Sequence, residues 1–294
     1  MPMWNRAPVP FASIAPLMAS LIMVGTVAWA DPAEATAADL YYERSVAVAA
    51  QSKCQLFEPG VAAALSAATL QARGAALRSG VEASQLAASS TRARARVDQV
   101  SCQDAQLRLM ASRVEAGFAG WSRAARISFA GDRSAWHGDR FESKQTGWRL
   151  AQDALTGTSP VRLGLVGRSP SLVQLATVVS FKGRNRPYAA RLVVRNATAL
   201  PRPWLSGEGL PPPSAQMSFF ATGVSAAPAP LLKTGERQGE QWLFAHAAIE
   251  AMARLDPRET VRIEFLFRDD SVASAQFEVG DFAAGRAFLN MGPI

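Results

Sequence analysis

The chain has 294 residues, 49% hydrophobic and 19% charged, which is enough apolar material for a large core or two modest ones and too little charge for a disordered polyelectrolyte. Its formal net charge of +7 is carried mostly by arginine, since Lys53, Lys144, Lys182 and Lys233 are the only lysines. Such a balance draws a protein toward anionic lipid headgroups or cell-wall polymers, and it equally suits a solvated surface of mixed charge.

Residues 1–30 have the layout of a secretory signal peptide. Arg6 precedes the uncharged stretch FASIAPLMASLIMVGTVAWA, residues 11–30, which closes on Ala28, Trp29 and Ala30, an A-x-A cleavage site. The stretch is also long enough to span a bilayer as a retained anchor, but Pro16 and the small residues at its end favour removal. No cysteine at the cleavage point signals lipidation, and no arginine pair signals twin-arginine export. The expectation is a periplasmic protein with no transmembrane segment after cleavage and, once exported, no nucleic-acid partner. Cys54 and Cys102 both lie in the exported part, where two thiols most simply form one disulfide.

From residue 33 to about residue 127 the sequence is rich in alanine, arginine and glutamine, a composition that favours helix. A first helix is predicted over residues 35–54 and is broken by LFEPG, residues 56–60. A second places Val61, Leu65, Thr69, Ala72 and Ala76 on one stripe and stops at Gly80. A third runs over residues 81–100. The fourth begins at Ser101, Cys102, Gln103 and Asp104, which resemble a capping box with aspartate in the last position. Its residues Leu107, Met110, Val114, Phe118, Trp121 and Ala125 recur at spacings of three and four, the strongest amphipathic signal in the chain. Such a stripe packs a core, or alternatively lines a ligand groove. Short connections imply an up-and-down bundle, in which Cys54 and Cys102 meet at one pole.

After Phe129, glycine, proline and β-branched or aromatic runs take over: TGWRLAQ, VRLGLVG, LVQLATVVSF, YAARLVVRN, QMSFFATGV, QWLFAH, TVRIEFLFRD and SVASAQFEV read as strands. FKGRNRPY (181–188) and RDDSV (268–272) read as hairpin connections. Val261, Ile263, Phe265 and Phe267 alternate with Arg262 and Glu264, so that strand buries one face. Two proline-rich segments, residues 201–213 and 226–232, read as surface excursions, and HAAIEAMARL and DFAAGRAFL as short helices. The fold class expected is α+β: an antiparallel helical bundle over residues 31–130, a connector with a first strand over 131–160, and a mainly antiparallel, sandwich-like β domain over 161–294.

Chemistry is sparse. GDRSAWHGDR, residues 131–140, sets His137 between two Gly-Asp-Arg copies. It reads as a two-turn corner between helix four and the first strand, with Asp132 and Asp139 bonding backbone amides and Arg133 and Arg140 pairing with carboxylates. The alternative makes His137 a general base oriented by Asp132 or Asp139, although no G-x-S-x-G nucleophile motif accompanies it. His246 and Glu250, four apart on a predicted helix, share a face and could fill two positions on a metal, without a third ligand in view. In TRARARVDQ, residues 91–99, Arg92 and Arg96 share a helical face and Arg94 lies on another, a surface for an anionic polymer or lipid if it is more than a solvated face. No phosphate-binding loop, dinucleotide fingerprint or clustered metal motif is present, so no cofactor is expected.

The closing order of helix AIEAMARL, strand VRIEFLFRD, strand SAQFEV and helix GDFAAGRAFL resembles the C-terminal end of invasion-associated locus B proteins, exported β-rich bacterial proteins. That family typically opens its final helix on a Gly-Phe pair, whereas here Asp281 stands between Gly280 and Phe282. The β part also lacks the cysteines usual in the family, and the helical bundle has no counterpart there. The resemblance implies an envelope location and carries over no catalytic residue. The leading expectation is a non-enzymatic envelope protein of a Gram-negative-type bacterium that binds an envelope protein or anionic envelope polymer. The alternatives are an envelope hydrolase using His137 with Asp132 or Asp139, and an electrostatic binder of anionic lipid or polysaccharide.

Overall fold

The computed structural model describes residues 35–182, 186–207 and 209–294. The expected signal peptide lies outside them, as do Gly183, Arg184 and Asn185 of the 181–188 connection. Helix α1 (Ala37–Cys54) starts on a capping box in which the Thr36 hydroxyl accepts from the Asp39 amide and the Asp39 carboxylate accepts from the Thr36 amide. Helix α2 (Pro59–Arg78) takes Pro59 in its first turn, where a missing N–H costs nothing, and α3 (Ala83–Asp98) follows after a turn at Gly80.

Helix α4 (Ala105–Ser122) begins one turn later than the sequence suggested. Its N-cap is Asp104, whose carboxylate accepts from the Gln106 amide at 2.7 Å, while the Ser101 hydroxyl serves the Gln103 amide in the turn before it. Cys54 and Cys102 are joined in a disulfide, with Cα atoms 5.6 Å apart. Helix α1 packs against α2 and α3, and α4 packs against α2 and the side of α1, with little contact to α3.

The corner expected at residues 131–140 is instead a hairpin. Strands β1 (Arg126–Ala130) and β2 (Ala135–Asp139) pair antiparallel around a turn closed by the Gly131 amide on the Ser134 carbonyl at 2.7 Å. The reason is the apolar alternation of Ile127 and Phe129, which ends the helical period at Ser122, so Ala125 falls outside α4 and two strands precede TGWRLAQ. The remaining strands are β3 (Gly147–Thr156), β4 (Ser159–Ser169), β5 (Leu172–Val179), β6 (Ala189–Arg195), β7 (Gln216–Ala226), β8 (Glu240–Phe244), β9 (Thr260–Leu266) and β10 (Val272–Glu278). Helices α5 (His246–Ala253) and α6 (Phe282–Leu289) complete the chain.

All ten strands belong to one antiparallel sheet in the order β1-β2-β3-β4-β5-β8-β7-β6-β9-β10. Residues 268–272 form the expected β9/β10 hairpin. The 181–188 connection does not form one, because β5 pairs with β4 and β8 while β6 pairs with β7 and β9. The two halves of the sheet fold over a shared core, so Leu150, Leu163 and Leu165 of β3 and β4 pack with Leu192, Ile263, Phe265 and Phe277 of β6, β9 and β10. The architecture is thus α+β with a sandwich-like sheet.

Helix α2 docks on α6, and Ala67 of α2 and Trp121 of α4 join the core of the sheet, so Ala35–Ile294 forms one compact unit. Both proline-rich segments are tied down. The Trp204 amide donates to Glu259 at 3.1 Å, and Leu231 is fully buried with its carbonyl accepting from the Trp148 indole at 3.0 Å. Among the described residues no helix is long and apolar enough to cross a membrane.

Candidate functional site

An amphipathic helix in a four-helix bundle ordinarily buries its apolar stripe. In α4 only Leu107 is buried; Met110, Val114 and Phe118 are half-exposed and Leu109 is 46% exposed. They face a groove of about 700 Å³ lined by α1, α3 and α4, with Leu65 of α2 contributing from beneath. The groove exists because α3 stays on α1 and does not close over α4. The stripe therefore divides: Trp121 turns into the sheet core, edge-on to Phe288 at 5.8 Å between ring centroids, and the preceding residues face the opening.

Arg44, Arg96 and Arg113 also line this groove. The Arg44 guanidinium donates to the Ala68 carbonyl at 2.7 Å and stands over the Phe118 ring at 6.0 Å. Burial pushes its pKa down, partly offset by neighbouring Glu43, yet a guanidinium stays charged at any physiological pH. Among the described residues none of the three arginines forms an ion pair with a carboxylate. Of the two carboxylates on the groove, Glu43 and Asp104, the second is spent as the α4 cap. Arg96 is thus the one member of the 92/94/96 cluster on the groove, while exposed Arg92 donates to the Ser89 hydroxyl at 2.8 Å and Arg94 points elsewhere on the exposed surface.

The second candidate is the outer face of β1 to β4. His137 lies on β2, opposite Ser128 of β1, and the Ser128 hydroxyl and His137 Nδ1 are 3.0 Å apart. Both side chains are exposed in a depression of about 470 Å³ that also holds Asp139, Asp153, Trp148, Arg126 and Arg162. Asp139 shares the face, as a residue two along a strand must, but it pairs with Arg126 at 3.0 Å and accepts the Phe141 amide at 2.8 Å. Asp132 does not reach the depression and lies 4.0 Å from Arg78 instead. Asp153 is gripped by Arg162 at 2.6 and 2.8 Å; burial works against its charge, but these bonds outweigh it and hold its pKa below the ordinary value. Each nearby carboxylate thus serves an arginine, and the imidazole is held by a hydroxyl. Among the described residues no carboxylate is hydrogen-bonded to the imidazole, although the Asp153 charge lies near enough to interact with it.

Of Arg133 and Arg140, both expected to pair with carboxylates, only Arg133 does so. Arg133 meets Glu278 at 3.1 Å, whereas buried Arg140 donates to the backbone carbonyls of Gly292 and Ser122 at 2.7 and 2.9 Å. His246 and Glu250 do meet, Nε2 to Oε1 at 3.2 Å, and Arg286 reaches the same carboxylate oxygen at 2.5 Å. A guanidinium stands where a metal would, and among the described residues no group of three or more His, Cys, Asp or Glu side chains is placed to hold one.

Ser128, Asp153 and Arg162 escaped the sequence reading because their placement beside His137 depends on the β1/β2 hairpin and on cross-strand register. Leu107, Met110, Val114 and Phe118 lay in the stripe already singled out, whereas Arg44, Leu109 and Arg113 join them only because α3 stands apart from α4. Compared with known protein families, curated proteins and solved structures, the chain matches no family model, no curated sequence and no solved structure. Function must therefore be argued from these two sites and their chemistry.

Proposed function

We propose that this is a non-enzymatic periplasmic protein of a bacterial envelope, and that it binds another envelope component in the groove between α1, α3 and α4. The observation that carries the reading is the apolar stripe of α4, left half-exposed along an open groove of ligand size. The signal-like residues 1–30, the disulfide between Cys54 and Cys102 and the resemblance of the last strands and helix to an exported family support the envelope location.

The test is affinity capture of the tagged exported protein from its own envelope extract, with proteins, lipids and sugars all identified, alongside the Leu109→Glu variant. Leu109 is exposed, so the substitution alters the groove without disturbing the core. A component recovered in stoichiometric amount with the parent and lost with the variant supports the groove. Equal recovery with both rejects it.

A second reading rests on the contact between Ser128 and His137 in a depression that also holds two aspartates. It makes the protein an envelope hydrolase with His137 as base. Turnover of an envelope ester or glycan that disappears in His137→Ala, at unchanged melting temperature, would establish it; unchanged turnover would dismiss it.

A further inference from the structure

We infer that the groove takes a single-chain anionic amphiphile, with the acyl chain lying along Leu65, Met110, Val114 and Phe118 and the anionic head held by Arg96 and Arg113. This rests on the groove reading above and names its ligand class. Three observations carry it.

The first is size. The groove's volume of about 700 Å³ lies within the range of about 300–1,000 Å³ that small-molecule sites span, and one extended hydrocarbon chain fits it. The second is the floor. Leu65 is buried and Met110, Val114 and Phe118 are half-exposed around one apolar cluster, so the apolar part of the lining outweighs the polar part that Tyr42, Glu43, Asp104 and Gln106 contribute.

The third is charge. Arg96 from α3 and Arg113 from α4 are exposed on the groove and, among the described residues, lack a carboxylate partner, so an anion on this groove can meet a guanidinium without breaking an existing pair. Arg44 adds a third positive charge, but it is already committed to the Ala68 carbonyl and the Phe118 ring, and its role is to hold the wall. A neutral lipid would leave Arg96 and Arg113 unused. A polyanion without a chain would leave the apolar track in water.

Titration calorimetry below micelle-forming concentrations, on the purified exported protein, tests this with decanoate, dodecanoate and tetradecanoate and with the uncharged dodecanol. One molecule is expected to bind per chain, with affinity rising about fourfold per methylene enclosed. Dodecanoate is expected to bind about tenfold more tightly than dodecanol, a margin in line with two charge-assisted hydrogen bonds at a solvated rim. Arg96→Gln with Arg113→Gln removes that difference and leaves dodecanol unchanged, and Leu109→Glu weakens all four probes.

Equal binding of the acid and the alcohol, both weakened by Leu109→Glu, overturns the anionic class while leaving the groove as the site. No binding of any probe, with envelope capture still lost in Leu109→Glu, overturns the amphiphile and again leaves the groove. Probe binding indifferent to all three substitutions overturns both readings.

Discussion

Asp281 grips Arg78 with both carboxylate oxygens, Nη1 to Oδ1 at 2.7 Å and Nη2 to Oδ2 at 2.9 Å, across 203 residues of sequence. The pair fastens the end of α2 to the start of α6, with side chains only 12% and 1% exposed. It is a buried polar tie between α2 and the C-terminal end of the chain, joined by Arg258, whose Nη1 donates to the Leu77 carbonyl at 3.4 Å. Removing one partner of a buried pair leaves the other charge without compensation, at a cost of about 3–5 kcal/mol. Asp132 stands 4.0 Å from Arg78 and remains, so Asp281→Ala is expected to fall at the lower end, about 3 kcal/mol, in urea denaturation.

Gly74 explains how close that approach is. A Cβ there would meet Asp281 Oδ1 at 1.9 Å, so the carboxylate would have to shift. In an ordinary helix interior Gly→Ala stabilises by about 1 kcal/mol. Here Gly74→Ala is expected to destabilise, because it displaces the carboxylate from Arg78. In the Asp281→Ala background the same substitution should recover a stabilising sign, a non-additivity that a double-mutant cycle reads directly.

The disulfide between Cys54 and Cys102 closes a loop with a sequence separation of 48 residues. The chain-entropy model gives such a loop about 4 kcal/mol. The paired Cys54→Ala, Cys102→Ala variant should therefore melt well below the parent, and reduction of the parent should reproduce the shift. Near-parental stability would show that packing alone holds this end of the bundle.

Glu278 sets an acid limit. Burial works against its carboxylate, but the amides of Arg133 and Ser134, the Arg133 guanidinium and the Ser134 hydroxyl outweigh burial and hold its pKa below the ordinary 4.5. A depressed carboxylate stabilises the fold fully above its unfolded value, and that contribution is lost as pH falls through the lower folded value. The stability advantage of the parent over Glu278→Gln should thus be constant from neutral pH down to about pH 5 and shrink as pH falls further. An advantage independent of pH would place its origin in the shape of the side chain and not in its charge.

Much of this was legible in the sequence where the signal is local. Val261, Ile263 and Phe265 are buried as their alternation implies, and the disulfide follows from two cysteines at one pole of a bundle. What escaped depends on partners distant in the chain. Asp281 was noticeable as an aspartate between Gly280 and Phe282, but nothing local names Arg78 as its partner. Gln152 looks like an outward polar residue in a strand, yet it is 1% exposed. Strand β1 has five residues, too few for alternation to be told from the end of a helix. Loop composition suggested a hairpin at 181–188, while sheet order is decided by which apolar faces meet.

The outermost strands of an open sheet carry unpaired backbone groups that invite a neighbouring molecule to add a strand. In this chain the end of β10 is engaged by β2, β3 and the β1/β2 turn. The Gln152 side chain on β3 both donates to the Glu278 carbonyl at 3.2 Å and accepts from its amide at 2.8 Å, the Trp136 indole reaches Val279 at 2.9 Å, and the Glu278 carboxylate holds the turn that joins β1 to β2. The stretch of β10 open to strand addition by another molecule is thereby shortened at its Glu278 end.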